Sequence, residues 1–204
     1  YNLVESGQIM KPHEINELEN FISGWYLEDD TLCDDIVKYF DELPIKNRGS
    51  ITTEGVYNKI KLEYKDSYDH PLEDETLYKR YFDSLKEVID KYIEQYPMCN
   101  IYSPASLISP INIQYYKPKG GFHAWHTERS NRMEYVSSRH LVFMTYLNDV
   151  DDEGHTEFYH QKLKVKPRKN LTLIWPTDWT FTHRGIASPT QEKYITTGWL
   201  NYLE

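Results

Sequence analysis

The sequence has little cysteine, no long apolar run and a deficit of positive charge, and each of these features excludes a class of protein. Cys33 and Cys99 are too few for a disulfide framework or a thiolate metal site, so we expect a reducing compartment, the cytoplasm. No apolar run approaches the roughly 18 residues that a membrane span needs. No signal peptide is visible, although the chain begins at Tyr1 rather than Met. We therefore expect no membrane partner.

The charge balance bears on the partners of the protein. Lys and Arg number 23 against 32 Asp and Glu, which gives a net charge of −9. Phosphate backbones attract basic surfaces, so we expect no nucleic-acid partner. A neutral or basic substrate, either a peptide or a small molecule, fits this charge better, and the oligomeric state stays open.

The first hundred residues have mostly helical spacing. Pro12 and Gly24 bound one predicted helix, and Thr31 is the predicted N-cap of a second helix that stops before Pro44. The longest predicted helix runs over residues 73–95, with an apolar stripe at Leu77, Tyr81, Leu85, Val88 and Tyr92. Residues 47–50 are a predicted turn, and residues 55–64 alternate weakly like a strand.

After Pro97 the pattern changes to short β-rich runs with few helical signals. Gly, Pro, Asp or Asn separates most of them, and Tyr (18) and Trp (5) are frequent, as is typical of β-structure. The predicted strands are residues 111–116, 122–127, 140–147, 156–160, 163–166, 171–175, 180–183 and 194–202. They predict an α+β, mainly β protein: a jelly-roll core (double-stranded β-helix) with the N-terminal helices packed on one sheet. We expect a single domain over 1–204, with a helix-rich layer (1–100) and a core (101–204).

The most informative motif is His126-Thr127-Glu128 together with His183. Two imidazoles and one carboxylate are the ligand set of a mononuclear non-haem Fe(II) site, which leaves one face of the metal open. Residues i and i+2 of a strand point to the same side, so His126 and Glu128 would converge if residues 122–128 are extended. The motif alone is weak evidence for a metal site, because a polar strand at the surface can have the same residues.

Neighbouring residues strengthen this interpretation. Gly120-Gly121 suits a tight turn before the strand, and Trp175 and Trp179 place His183 in aromatic surroundings. Lys193 lies ten residues after His183, a spacing that fits a hairpin. A lysine beside a metal ion is repelled unless an anion lies between them, and an acidic co-substrate would provide that anion.

Residues 111–202 resemble the Fe(II)/2-oxoglutarate-dependent dioxygenases, and among them the prolyl 4-hydroxylase-like branch. The resemblance rests on an ordered series of motifs: Gln114-Tyr115-Tyr116, Gly120-Gly121, His126-x-Glu128, Tyr146-Leu147-Asn148, Gly154-His155-Thr156-Glu157-Phe158, Leu173-Ile174-Trp175-Pro176, His183, Lys193 and Gly198-Trp199. Two positions depart from the family pattern. Glu128 replaces the commoner Asp and is one methylene longer, and His155 replaces a glycine.

The resemblance implies a role for each matching position. His126, Glu128 and His183 would be the catalytic Fe(II) ligands, and Lys193 would pair with the distal carboxylate of 2-oxoglutarate. The co-substrate pocket would further contain Tyr116, Tyr146, Thr197 and Trp199, and Arg139 would lie at the substrate rim. The implied cofactors are Fe(II), 2-oxoglutarate and O2, with ascorbate as a candidate reductant. The implied activity is hydroxylation of a C–H bond, with peptidyl proline as the family-based substrate.

Several alternatives stay open at this point. A cupin-like metal isomerase or hydrolase would use the same fold without needing Lys193, and an inactive jelly-roll module would bind peptide or sugar. Arg184 is a rival carboxylate partner, although strand parity points it away from the metal. We also expect the segment 129–139 to act as a lid, and His155 to lie near the mouth of the site.

Overall fold

The computed structural model describes residues 20–53, 56–101, 104–107 and 110–203. Its α-helices are α1 (Leu32–Glu42), α2 (Glu75–Gln95), α3 (Met98–Ile101) and α4 (Glu134–Ser137). The strands of the first half are β1 (Ser23–Tyr26), β2 (Asn47–Arg48), β3 (Ile51–Thr53), β4 (Val56–Lys59), β5 (Tyr68–Pro71) and β6 (Ala105–Leu107). The strands of the second half are β7 (Asn112–Tyr116), β8 (Phe122–His126), β9 (Arg139–Tyr146), β10 (Thr156–Phe158), β11 (Leu163–Val165), β12 (Leu171–Pro176), β13 (His183–Gly185) and β14 (Lys193–Tyr202).

Two antiparallel sheets form the β core. The major sheet has the strand order β1-β12-β9-β14-β7-β5-β2, with β6 also paired to β14, and the minor sheet has the order β11-β10-β13-β8. Apolar side chains of both sheets meet in one buried cluster, in which Phe158 of the minor sheet joins Tyr146 and Trp175 of the major sheet. This arrangement confirms the predicted mainly β class with a jelly-roll core.

Helices α1 and α2 cover the opposite face of the major sheet. Ile36 and Phe40 of α1 pack with Tyr81 and Leu85 of α2 and with Phe143 of β9 in a second buried cluster. The apolar stripe predicted for the long helix is the face that packs there, and Asp74 caps the helix by accepting a hydrogen bond from the Leu77 N–H at 2.9 Å. The prediction of helices packed on one sheet is therefore confirmed.

Alternation along β14 separates the two layers. Lys193, Ile195, Thr197 and Trp199 line a cavity on the side of the minor sheet. Tyr194, Thr196 and Leu200 lie on the helix side, where Thr196 donates a hydrogen bond to the Tyr81 hydroxyl at 2.7 Å. One strand therefore contributes to the hydrophobic core with one face and to the cavity with the other.

Three predictions for the N-terminal half were wrong in their details. The helix predicted to end at Gly24 lies mostly outside the described residues, and its described end is strand, because β1 pairs with β12. Asp29 rather than Thr31 caps α1: its carboxylate accepts from the Leu32 N–H at 3.1 Å, whereas the Thr31 side chain makes no capping bond. The turn predicted at 47–50 begins with β2, which pairs with β5.

Two predicted strands were also wrong in extent. The strand predicted over 55–64 is limited to β4 in the described residues, and the N–H of Tyr64 instead closes a turn onto the Lys61 carbonyl at 2.9 Å. The strand predicted over 180–183 is a 3₁₀ turn over Trp179–Phe181, and β13 begins only at His183. In the described residues, no helix is both long and apolar enough to cross a membrane.

Candidate active site

Strand register brings the two candidate histidines together. His126 at the end of β8 is directly opposite His183 at the start of β13, and the centres of the two imidazole rings are 4.3 Å apart. Glu128 lies two residues beyond the end of β8, so the assumption that the strand includes it was wrong. Hydrogen bonds of its two neighbours hold this segment in place of strand pairing. The Arg129 N–H and the Thr127 hydroxyl both donate to the carbonyl of Thr177.

The three side chains converge on one point. Oε1 of Glu128 is 3.5 Å from Nε2 of His126 and 3.4 Å from Nε2 of His183. Each histidine also places Nδ1 against a backbone carbonyl, at 3.0 Å from the oxygen of Ala124 for His126 and 2.9 Å from that of Phe181 for His183. With Nδ1–H donating to these carbonyls, each Nε2 lone pair faces Glu128, as in a metal-binding histidine. All the candidate ligand atoms lie within 4.8 Å of one another, so the donor set fits a divalent metal ion.

The protonation states suit a metal as well. Burial and the nearby His183 lower the pKa of His126, which favours the neutral imidazole that can act as a ligand. Burial alone would raise the pKa of Glu128, but the nearby imidazoles of His126 and His183 outweigh it and hold that pKa well below its usual value. Near neutral pH the site therefore has one ionised carboxylate and a neutral His126.

A cavity of about 700 Å³ opens beside the triad. Its walls come from both sheets and from the segment after β8, and they include all of the site residues predicted from the sequence: Tyr116, His126, Glu128, Arg139, Tyr146, His183, Lys193, Thr197 and Trp199. Tyr116 and Trp199, which are 83 positions apart in sequence, thus share one pocket because β7, β8, β9, β13 and β14 border it.

Lys193 is a buried cation in the wall of this cavity. It is 4% exposed, and its ammonium group donates to the carbonyls of Gly154 at 2.8 Å and Ile186 at 3.1 Å. Within the described ranges no carboxylate lies within 4 Å of it, and burial lowers its pKa to about 8. A buried ammonium without a counter-ion is costly, so this position is built to receive an anion.

Several hydroxyl groups line the same cavity as the lysine. The Nζ atom of Lys193 lies 5.1 Å from the centre of the Tyr116 ring, and the Tyr116 hydroxyl donates to Gln114 at 2.7 Å. The Tyr146 hydroxyl donates to Thr156 at 2.6 Å. Burial raises the pKa of both tyrosines, so both stay protonated and able to donate hydrogen bonds. Thr197 donates to the carbonyl of Phe143 at 3.1 Å.

Arg139 and Trp199 lie against the carboxylate of the triad. The indole N–H of Trp199 donates to Oε2 of Glu128 at 3.0 Å. The Arg139 guanidinium stacks on the Trp199 ring at 3.6 Å and donates to the backbone carbonyl of Glu128 at 2.9 Å. Both residues line the cavity and also contact Glu128, the proposed metal ligand.

The other candidates from the sequence lie outside the centre of the site. Arg184 pairs with Glu157 at 2.7 Å and stacks on Trp125, facing away from the cavity as strand parity predicts. His123 is exposed, and His155, 3.4 Å from Glu153, is not among the residues that line the cavity. In the segment 129–139, α4 contributes Tyr135 and Val136 to the cavity wall, and its proposed role as a lid stays a prediction.

Sequence reasoning missed a second buried lysine in the cavity wall. Lys65 is 4% exposed and pairs with Asp69 at 2.6 Å, and Ser67 donates to the same carboxylate at 2.7 Å. The backbone of Lys65 forms a β-bridge with Phe122, whose ring stacks on His126 at 3.6 Å. The spacing of Lys65 and Asp69 also suits an exposed helix pair, so the sequence contains no signal that they are buried.

Comparison with known proteins agrees with this geometry. Residues 111–201 match the family model of the 2OG-Fe(II) oxygenase superfamily. No curated protein sequence matches the chain significantly. Several solved structures share the fold at low sequence identity, and all three described next are prolyl hydroxylases.

The viral collagen prolyl hydroxylase of Paramecium bursaria Chlorella virus-1, solved as a 2-oxoglutarate complex, has 15% identity and a TM-score of 0.63, with 90% of this chain and 97% of that chain covered. A Trichoplax adhaerens prolyl hydroxylase, in complex with a peptide of the hypoxia inducible factor oxygen degradation domain, has 15% identity and a TM-score of 0.70 over 89% and 84% of the chains. A Pseudomonas putida prolyl-4-hydroxylase has 15% identity and a TM-score of 0.65 over 88% and 92%. Residues 111–201 therefore have the sequence pattern of the 2OG-Fe(II) oxygenase superfamily, and the chain shares the fold of these prolyl hydroxylases.

Proposed function

We propose that the protein hydroxylates a prolyl residue within a peptide, with His126, Glu128 and His183 as the Fe(II) ligands. Bound iron and 2-oxoglutarate supply oxidative decarboxylation to succinate and CO2, coupled to hydroxylation of a C–H bond. The three side chains occupy one side of the proposed metal position, which leaves the cavity side for the co-substrate and O2. The remaining residues bind and orient the ligands.

The observation that carries this proposal is Lys193. Among the described residues this buried ammonium has no carboxylate partner and donates hydrogen bonds to two backbone carbonyls. It therefore matches the distal carboxylate of 2-oxoglutarate, which would neutralise it. The rival isomerase, hydrolase and binding-module interpretations give such a lysine no role. Arg184 cannot compete for this carboxylate, because Glu157 already neutralises it outside the cavity.

The hydroxyl groups would complete the co-substrate pocket. Tyr116 and Lys193 are register partners on β7 and β14, and Tyr146 and Ile195 are register partners on β9 and β14. Tyr116, Tyr146 and Thr197 therefore reach the cavity from adjacent strands. Each hydroxyl would exchange its present acceptor for the bound carboxylate when it donates a hydrogen bond to the co-substrate. Trp199 would close the pocket on the metal side.

The peptide substrate is supported by the relatives and by the shape of the site. Two of the similar structures are named for peptide or protein substrates, collagen and a fragment of hypoxia inducible factor. In this chain the exposed side chains of Trp125 and Tyr135 border the cavity, so an extended polypeptide can approach the triad. A free amino acid is the alternative that the experiment must separate.

The site itself is tested by spectroscopy under anaerobic conditions. Fe(II) and 2-oxoglutarate added to the purified protein should give the weak visible charge-transfer band of a chelated 2-oxo acid. The band should disappear in His126→Ala and His183→Ala, weaken in Lys193→Ala, and persist in the matched control Arg184→Ala, which lies outside the cavity. No band in the wild-type protein would contradict the site assignment.

The substrate is tested by product analysis. Succinate should form in excess over the uncoupled rate when proline-containing peptides are added, and mass spectrometry should find one added oxygen atom on proline. The control peptides replace the proline with alanine, and free proline is tested in parallel. Oxidation of free proline alone would overturn the peptide proposal but keep the dioxygenase site.

A further inference from the structure

The two carboxylate oxygens of Glu128 have different surroundings. Oε1 faces the imidazoles of His126 and His183, at 3.5 and 3.4 Å. Oε2 accepts the hydrogen bond from the Trp199 indole at 3.0 Å and lies 3.6 Å from Nη1 of Arg139. One oxygen is therefore directed at the proposed metal position and the other is held by donors behind it.

Arg139 in turn holds Trp199. Its guanidinium is stacked on the indole at 3.6 Å, and the same group donates to the Glu128 carbonyl at 2.9 Å. The side chain of Arg139 is only 16% exposed, so this contact is formed away from bulk solvent. Both residues are on the major sheet, where Trp199 of β14 is the register partner of Val142 on β9. The donors are therefore fixed by a sheet rather than by a loop.

Glu128 needs such support more than an aspartate would. A glutamate side chain has one more rotatable bond than an aspartate, and ordering that bond costs conformational entropy. Glu128 also lies past the end of β8, so no strand pairing fixes its direction. Without a restraint, the longer carboxylate could also turn both oxygens toward the metal and occupy a position that the co-substrate needs.

We propose that Trp199 and Arg139 form a clamp that makes Glu128 bind the metal through Oε1 alone. In this proposal both are positioning residues: Trp199 occupies Oε2, and Arg139 fixes Trp199 and the Glu128 backbone. The clamp compensates for the extra methylene of Glu128, so the three residues function as a unit. The inference rests on the proposed assignment of Glu128 as an iron ligand.

The first test measures metal affinity without turnover. Co(II) is titrated anaerobically into the metal-free protein and followed by its visible absorption. Trp199→Phe keeps an aromatic ring for Arg139 but removes the N–H, and it should weaken Co(II) binding about 10- to 100-fold, as the loss of an outer hydrogen bond to a metal ligand typically does. The control Trp179→Phe changes an indole that is 66% exposed and outside the cavity, and it should bind like the wild type.

The second test separates positioning from general packing. In Glu128→Asp the shorter side chain cannot both reach the metal and receive the Trp199 bond, so adding Trp199→Phe should change affinity less than about threefold. An equal loss from Trp199→Phe in both backgrounds would overturn the proposal. So would wild-type affinity in the single Trp199→Phe variant.

A third variant keeps the test decisive if Trp199→Phe does not fold. Arg139→Lys retains the positive charge but removes the planar stack, and it should weaken Co(II) binding while leaving the far-ultraviolet circular dichroism unchanged. Unchanged affinity in this variant would count against the clamp. The outcomes also separate the two proposals: a wild-type protein that binds no Co(II) refutes the metal site, whereas tight binding by all variants refutes only the clamp.

Discussion

At the scale of single residues, the buried charge of Lys193 lowers the stability of the folded protein but provides a binding partner for an anionic ligand. Burial lowers its pKa to about 8 from the ordinary 10.5, so the folded chain holds this proton less tightly than the unfolded chain does. Below pH 8 the folded protein carries the full cost of the buried charge, on the order of 3 kcal/mol. As pH rises from 8 to 10.5 the folded state releases the proton first, and the cost falls. An anion bound beside the lysine would remove the same cost.

The prediction that follows concerns Lys193→Met in the metal-free protein. The variant should have a free energy of unfolding at pH 7 that is higher by about 1–3 kcal/mol, because it removes the buried charge but also loses two hydrogen bonds to carbonyls. Its advantage over the wild type should shrink as pH rises toward 10.5. Urea unfolding at both pH values measures this difference, with the exposed Lys91→Met as control. A variant less stable than the wild type at pH 7 would contradict the argument.

It could be predicted from the sequence that the candidate residues of the site lie together, but their contacts could not be predicted. His126, Glu128, His183 and Lys193 could be found because their chemistry requires particular residue types at particular spacings. The contacts of Trp199 and Arg139 with Glu128 could not, since they depend on the register of β14 against β9. Lys65 and Asp69 could not either, because nothing local distinguishes a buried ion pair from an exposed one.

At the scale of secondary-structure elements, a chain of buried hydroxyls fixes α2 to the major sheet. The Tyr81 hydroxyl lies 2.7 Å from the hydroxyls of Thr145 on β9 and Thr196 on β14, and Thr145 also lies 2.7 Å from Thr172 on β12. Tyr81, Thr145, Thr172 and Thr196 are fully buried. The network therefore joins one helix to three adjacent strands by polar contacts inside an apolar layer.

We expect Tyr81→Phe to lower the free energy of unfolding by about 1–3 kcal/mol, because it leaves buried threonine hydroxyls without a partner. The change is on the helix side of the sheet, so Co(II) affinity should stay within about twofold of the wild type. Chemical denaturation and the metal titration measure the two effects. Phe82→Leu, at a largely exposed position of the same helix, is the control. A large loss of metal affinity would show that the helix layer also shapes the site.

A second prediction at this scale concerns the start of α1. Asp29 accepts from the Leu32 N–H and also binds Arg80 of α2 at 2.8 Å. Asp29→Ala should therefore destabilise the protein by about 1–2 kcal/mol, and by more than Thr31→Ala, whose side chain makes no capping bond. Thermal unfolding of the two variants decides between the residues. A larger effect of Thr31→Ala would restore the cap that the sequence predicts.

The helices and strands were predicted well where the local periodicity of the sequence is strong. They were predicted poorly where hydrogen bonding to a distant segment determines the secondary structure. The stripe of α2 and the runs that became β7, β8, β9, β12 and β14 are long or clearly bounded by turn residues. Ser23 and Gly24 fall within the predicted first helix but begin β1, because β12 offers this segment hydrogen bonds along one edge. Thr180–Phe181 has β-forming composition but is a 3₁₀ turn, closed by the Asp178 carbonyl accepting from the Phe181 N–H.

At the scale of the whole molecule, ligand binding should couple to folding, because the cavity is formed by both sheets. Fe(II) or Co(II) with 2-oxoglutarate at 100 times their apparent Kd should stabilise the protein by about 2.7 kcal/mol. For a chain of this size that corresponds to a rise in Tm of roughly 5–10 °C. Differential scanning calorimetry measures it, and a chelator should reverse it. The rise should be absent in His183→Ala, and the same rise in that variant would place the binding elsewhere.

The alternation of β14 also limits how this protein can tolerate insertions and deletions. Loss of one residue of β14 between Lys193 and Trp199 would reverse the alternation on one side of the deletion, so that either Lys193 or Trp199 would point into the helix layer. Such a chain could still form two sheets, yet its cavity would lack either the lysine or the clamp. Changes of length are therefore compatible with the site in the connection over residues 186–192, but within β14 only in steps of two residues.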